Sequence, residues 1–134
     1  MIGRMLPLPW KTLTEPLPDR DYVALLSFLP LKRYRTIPKF FWLAFETQRQ
    51  LRQSKGLIGY SLHAEPFRRQ FWTLSVWEDR QSLMDFVGEI PHSRIMQSLA
   101  PHMGKTKFVQ WQLTASGIPP AWSAAKARMA VAPR

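Results

Sequence analysis

Three observations predict an α+β fold of βαββαβ order, with an antiparallel sheet carrying its helices on one face. Four short runs rich in β-branched, aromatic and aliphatic residues, Tyr22–Leu29, Leu57–Ala64, Phe71–Trp77 and Lys107–Thr114, are bounded by turn residues. A stretch at helical spacing separates the first run from the second. Another separates the third from the fourth, while only a short turn joins the second to the third. This order is the ferredoxin-like arrangement.

Residues 1–20 hold Pro7, Pro9, Pro16 and Pro18. Each fixes φ and withholds a backbone donor, so this segment reads as an extended, proline-rich arm. The domain proper spans 21–116. Its first strand lies between Asp21 and Pro30. Thr36 is expected to cap a helix over about residues 37–54, with Pro38 in the first turn. Ile37, Phe41, Ala44, Gln48 and Leu51 form its stripe, and Phe40 and Phe45 widen it. Arg49, Arg52 and Lys55 favour its C-terminal end, and Gly56 stops it. Residues 65–70 form the hairpin turn. Asp79 is expected to cap the second helix, which carries Leu83, Phe86, Val87 and Ile90 inward until Gly88 and Pro91 break it. A further helical piece from Pro91 buries Ile95, Met96 and Leu99, and Pro101 and Gly104 end it. Residues 117–134 form a tail with a short, weakly amphipathic helix over 121–132.

A chain of 134 residues is one domain, and it buries roughly two-thirds of its unfolded surface without a staple. There is no cysteine, which excludes thiolate metal sites, thiol catalysis and disulfides and fits a reducing, cytoplasmic setting. The first residues show no export signal, because Pro7 and Pro9 break the apolar stretch. The longest nearly apolar run, Tyr22–Leu31, contains Ser27 and Pro30 and falls well short of the about 20 residues a membrane span requires. The net charge of +10 is scattered, with clusters at Lys32, Arg33 and Arg35, at Arg68 and Arg69, and in the tail. It speeds encounters with anions and otherwise reads as a solvated surface.

Alternation sorts the strand side chains into two faces. Tyr22, Ala24, Leu26 and Phe28, Ile58, Tyr60 and Leu62, Trp72, Leu74 and Val76, and Val109, Trp111 and Leu113 make a uniformly apolar set, expected beneath the helices. The other set mixes Ser27, Ser61, Thr73, Ser75, Gln110, Gln112 and His63 with Leu25, Phe71, Trp77 and Phe108. Neutral polar groups among aromatics suit an enclosed pocket or a subunit contact. This face is expected to be open and to join two copies of the chain.

The run Phe71-Trp-Thr-Leu-Ser-Val-Trp-Glu-Asp79, followed by Leu83, Phe86 and Pro91-His92, resembles the third strand and second helix of the antibiotic-biosynthesis-monooxygenase-like, dimeric α+β barrel superfamily. Gly56-Leu-Ile-Gly-Tyr-Ser-Leu62 resembles its second strand, and the likeness, closest to members related to spheroidene monooxygenase, covers about residues 20–115. The resemblance implies a homodimer with sheets face to face and a pocket for a small apolar or aromatic molecule. It allows a cofactor-free or heme-dependent monooxygenase, a heme-binding protein, or a dimer without catalysis.

His92 matches the position where that superfamily often carries a helix histidine, which implies a catalytic base or a heme ligand. It precedes Ile95 and Met96 by three and four residues and so shares their helix face. A histidine at a helix start can equally serve only local hydrogen bonds. Trp77, Phe86, Met96, Phe71, Ser75 and His63 are the expected ligand contacts, and His102 reads as a turn residue. No metal-ligand spacing, glycine-rich phosphate loop or nucleophile elbow appears. Nucleic-acid binding is not expected: in Arg69-Gln-Phe-Trp-Thr-Leu-Ser-Val76, Gln70 and Thr73 replace the glycine and stacking aromatic of an RNA-recognition strand.

Overall fold

The computed structural model describes residues 6–7, 10–88 and 92–131, with the side chains of 6, 7, 92, 93 and 131 left undescribed. The expected order is present: strand β3 (Asp21–Pro30), helix α1 (Ile37–Leu51), strands β4 (Leu57–Glu65) and β5 (Gln70–Trp77), helices α2 (Arg80–Gly88) and α3 (His92–Leu99), and strand β6 (Lys107–Thr114). Two-residue strands β1 (Leu6–Pro7) and β2 (Lys11–Thr12) precede it, and helix α4 (Trp122–Val131) follows. All pairings are antiparallel, in the order β1-β4-β5-β3-β6, with β2 also on β4.

Local chemistry accounts for most element boundaries. Asp79 Oδ1 accepts the Ser82 amide at 2.8 Å, which caps α2 as expected. Thr36 does not cap α1: its backbone is already helical and its side chain makes no capping hydrogen bond, because a 3₁₀ turn at Tyr34–Thr36 leads straight into the helix. α1 also ends at Leu51, three residues early, where the chain turns toward Gly56 at φ 81°. Ile90 and Pro91 lie outside the described residues.

Register decides which side chains meet. Glu65 pairs with Gln70 across the hairpin, so Ala64 faces Phe71, Leu62 faces Thr73 and Tyr60 faces Ser75. On the other side of β5, Leu25 faces Ser75 and Ser27 faces Thr73. The face carrying these residues is the one under α1–α3. Its apolar parts form two separate clusters. Leu29, Ala64 and Phe71 pack with Phe40, Ile95 and Leu99. Leu57, Tyr60 and Trp77 pack with Leu51, Leu83 and Phe86.

This corrects the expected assignment of faces. The mixed face of β3, β5 and β6 is on the helix side, covered by the helices over β3 and β5 but not over β6, and the uniformly apolar face is the outer one. Ser61 and His63 part company with Ser75, because the hairpin register sends them to the outer side. The outer face is covered too. Trp10 of the arm packs on Tyr22, Ala24, Ile58 and Val76, and α4 packs Trp122, Ala125 and Met129 on Leu26, Trp72 and Leu74. A bulge at Ile58 leaves its carbonyl to accept the amides of Leu13 and Thr14 at 2.8 and 3.2 Å, which ties down the arm. Gly59 permits this contact, since a Cβ there would meet the Trp10 ring at 2.6 Å. Among the described residues no helix is long and apolar enough to cross a membrane.

Beneath α4, His63 is buried and stacks on Trp122 at 3.7 Å between ring centroids and 9° between planes. Neither imidazole nitrogen has a hydrogen-bond partner among the described residues. Lys126, whose ammonium lies 3.6 Å from the Trp72 ring centre, adds a like charge. Burial and then Lys126 lower the His63 pKa to about 4. The folded value lies below the free value, so the unfolded chain binds the proton first. His63 therefore favours the fold fully above about pH 6.5, and that contribution falls away down to about pH 4. Between these pH values the wild type should lose on the order of 2–3 kcal/mol of stability in denaturant titrations. His63→Phe, which keeps the stack, should lose that part of the dependence; an unchanged slope would contradict the role of His63.

Candidate functional site

The split helix-side core creates the site. Thr73 and Ser75 stand on β5, an inner strand beneath the helices, yet both are only half-buried, as are Val23 and Leu25 beside them. On β6, helix-side Phe108, Gln110 and Gln112 are exposed, because the helices stop short of this edge. The result is a shallow, half-open cleft over Leu25, Thr73 and Ser75, open toward β6 and with one apolar cluster at each end. Phe71 and Trp77 mark the ends, six residues and about 20 Å apart along the strand.

At the Trp77 end, the Trp77 indole N–H donates to Ser75 Oγ at 2.8 Å, and the ring lies 5.2 Å from Phe86. This fixes the Ser75 hydroxyl and leaves its proton free to donate. Tyr60 sits directly opposite Ser75, so the two side chains leave the sheet as neighbours. Tyr60 is only 7% exposed, and its hydroxyl has no hydrogen-bond partner among the described residues. A buried phenol normally finds one. A sealed donor without a partner, on the residue opposite half-open Ser75, leaves a hydrogen bond for the polar atom of a guest that displaces the packing over it.

Of the expected ligand contacts, the structure brings Trp77, Ser75 and Phe86 together. Phe71 closes the opposite end, packed on Phe40 at 4.3 Å. Met96 is half-buried on α3. His63 is excluded from the cleft, since it lies behind the sheet under Trp122. His92 is the first residue of α3; its side chain lies outside the described residues. Tyr60 is not among the expected contacts, because alternation along β4 places its ring with the apolar set. The signal was available: pairing Ala64 with Phe71 across the turn puts Tyr60 on the Ser75 side.

A second concavity of about 360 Å³ lies between the end of α1 and α2, lined by Gln53, Ser54, Lys55, Ser82, Asp85 and Phe86. Its mostly polar wall suits water better than a flat apolar ligand. Among the described residues no group of three or more His, Asp or Glu is placed to hold a metal ion. Of the two histidines besides His92, His63 is sealed behind the sheet and His102 sits in the turn after α3, where its carbonyl accepts the Lys32 amide.

No family model matches the chain, and no curated protein is similar to it in sequence. Solved structures are similar in fold. An antibiotic biosynthesis monooxygenase superposes with a TM-score of 0.61 at 18% identity, over 66% of this chain and 95% of its own. SnoaB from Streptomyces nogalater, a cofactor-independent oxygenase, gives 0.57 at 13% identity, over 75% and 98%. A conserved protein from Methanosarcina mazei Go1 gives 0.61 at 15%, over 67% and 90%. The chain therefore has the ferredoxin-like α+β fold shared by antibiotic-biosynthesis-monooxygenase-like proteins.

Proposed function

We propose that the cleft binds a small, flat, largely apolar molecule bearing a hydroxyl or carbonyl, and that the protein oxidises it with dioxygen without a cofactor. One observation carries this reading: Tyr60, whose buried hydroxyl has no partner among the described residues, stands opposite half-open Ser75 on the helix side of the sheet. The fold shared with a cofactor-independent oxygenase supports it. In such a reaction a ring methylene of the substrate becomes a carbonyl. The substrate supplies the four electrons, and the second oxygen atom leaves as water. The protein positions and desolvates the electron-rich ring, and Tyr60 and Ser75 stabilise the oxyanion that forms. His92 is the proposed base, Met96 a contact, and the working form a homodimer in the cytoplasm.

Tyr60→Phe separates site from scaffold. A hydroxyl without a partner adds nothing to the free protein, so the melting temperature should hold or rise. Affinity for a naphthol probe should fall about two- to tenfold, and oxygen uptake with a flat polycyclic ketone that carries an oxidisable ring methylene by about tenfold or more. A lower melting temperature with unchanged binding would reverse the assignment.

His92→Ala should abolish turnover with the fold intact. A loss of about 0.5–2 kcal/mol of stability with unchanged ligand behaviour would make His92 a helix-start residue only. Light scattering at micromolar concentration should give about twice the 15.7 kDa chain mass; a strict monomer would remove the dimer from the proposal.

A further inference from the structure

At one end of the molecule the start of α1 meets the β4–β5 turn. Large aromatic side chains stand in solvent there. On α1, Phe41 is 41%, Trp42 63% and Phe45 56% exposed, while Phe40 between them and the sheet is buried. Residues 41 and 45, and 42 and 45, share a helix face. Tyr34 and Phe67 are likewise more than half exposed. The Tyr34 hydroxyl donates to the Phe67 carbonyl, and the Arg69 guanidinium lies 4.7 Å above the Tyr34 ring. Phe41 meets Phe71 edge-on at 5.6 Å, which ties the α1 aromatics to the same end of the sheet.

These contacts unite two basic clusters more than thirty residues apart in sequence. Lys32, Arg33, Arg35, Lys39 and Arg68 are all exposed around the aromatics, and no acidic residue occurs between Lys32 and Phe45. Monomeric surfaces seldom display such an aromatic group without a partner.

We propose that this end docks peripherally on an anionic lipid surface, with Trp42, Phe45 and Phe41 entering the interfacial layer and the ring of lysines and arginines contacting headgroups. Aromatic side chains favour the headgroup boundary, and long basic chains can reach phosphates from beside them. A second copy fits poorly, because two identical ends would oppose their cationic rings. A single-stranded nucleic acid fits less well, because these rings project from a helix and a turn, whereas base stacking uses aromatics arrayed on an open sheet or groove. The inference is independent of the ligand-binding reading.

Co-sedimentation of the intact protein with vesicles tests it. Vesicles of phosphatidylcholine with roughly a third phosphatidylglycerol, at about 0.1 M salt, should bind at least tenfold better than phosphatidylcholine alone. Raising salt to about 0.5 M should remove most of the binding. Arg33→Glu with Arg35→Glu should abolish it. Trp42→Ser with Phe45→Ser should weaken it by about tenfold while leaving the thermal melt unchanged, since both rings are exposed. Equal binding to both vesicle types would overturn the proposal. So would an aromatic double variant that binds anionic vesicles as well as wild type, or single-stranded RNA displacing the protein from vesicles and losing affinity in that variant.

Discussion

The pairing of β4 with β5 is the constraint on which the rest depends. Side chains alternate across a strand, so a one-residue change of register would exchange every β4 residue between the two faces. With Glu65 opposite Gln70, Tyr60, Leu62 and Ala64 are committed to the helices, and Ser61 and His63 to the arm and α4. Both faces are consequently layered: α1–α3 on one side, and Trp10 with α4 on the other. The bulge at Ile58 and the bare Cα of Gly59 admit the arm to this second layer.

Two-sided cover frees the helix side from carrying the whole core. Its hydrophobic packing is concentrated at two ends, and the middle can be occupied by Ser27, Thr73 and Ser75. Neutral hydroxyls there cost little when they keep a partner or reach water, and Ser75 does so through Trp77. Tyr60 does not. An unsatisfied buried hydroxyl costs about 1–3 kcal/mol, and sites that bind polar atoms of a guest commonly retain such a cost. Stability and site are thus coupled through one ladder pair, Tyr60 and Ser75.

Much of the fold was legible in the chain. The six core elements came from period and punctuation, and the Asp79 cap from residue type at one position. Thr36 misled, because a preceding 3₁₀ turn removes the need for a side-chain cap. The faces were legible strand by strand in β3, β5 and β6, where Leu25, Ser75 and Gln110 do lie side by side. They failed in β4, where polarity was used in place of register and joined His63 to Ser75. They failed again in allotting sides, because α4 was given no surface to cover. Tyr60 was hidden for the same reason: a tyrosine in an apolar row reads as core until its opposite residue is known.

The absence of cysteine allows a direct test of this two-faced arrangement. Single thiols can be introduced as Thr73→Cys, Ser75→Cys and Ser61→Cys, and their rates of reaction with a small neutral thiol reagent compared in the folded protein. Thr73 and Ser75 are half-open on the cleft floor, whereas Ser61 is buried on the covered outer face. The first two should react readily and be protected by a bound naphthol, and the third should react only on unfolding. A reactive thiol at 61 with protected thiols at 73 and 75 would contradict the account.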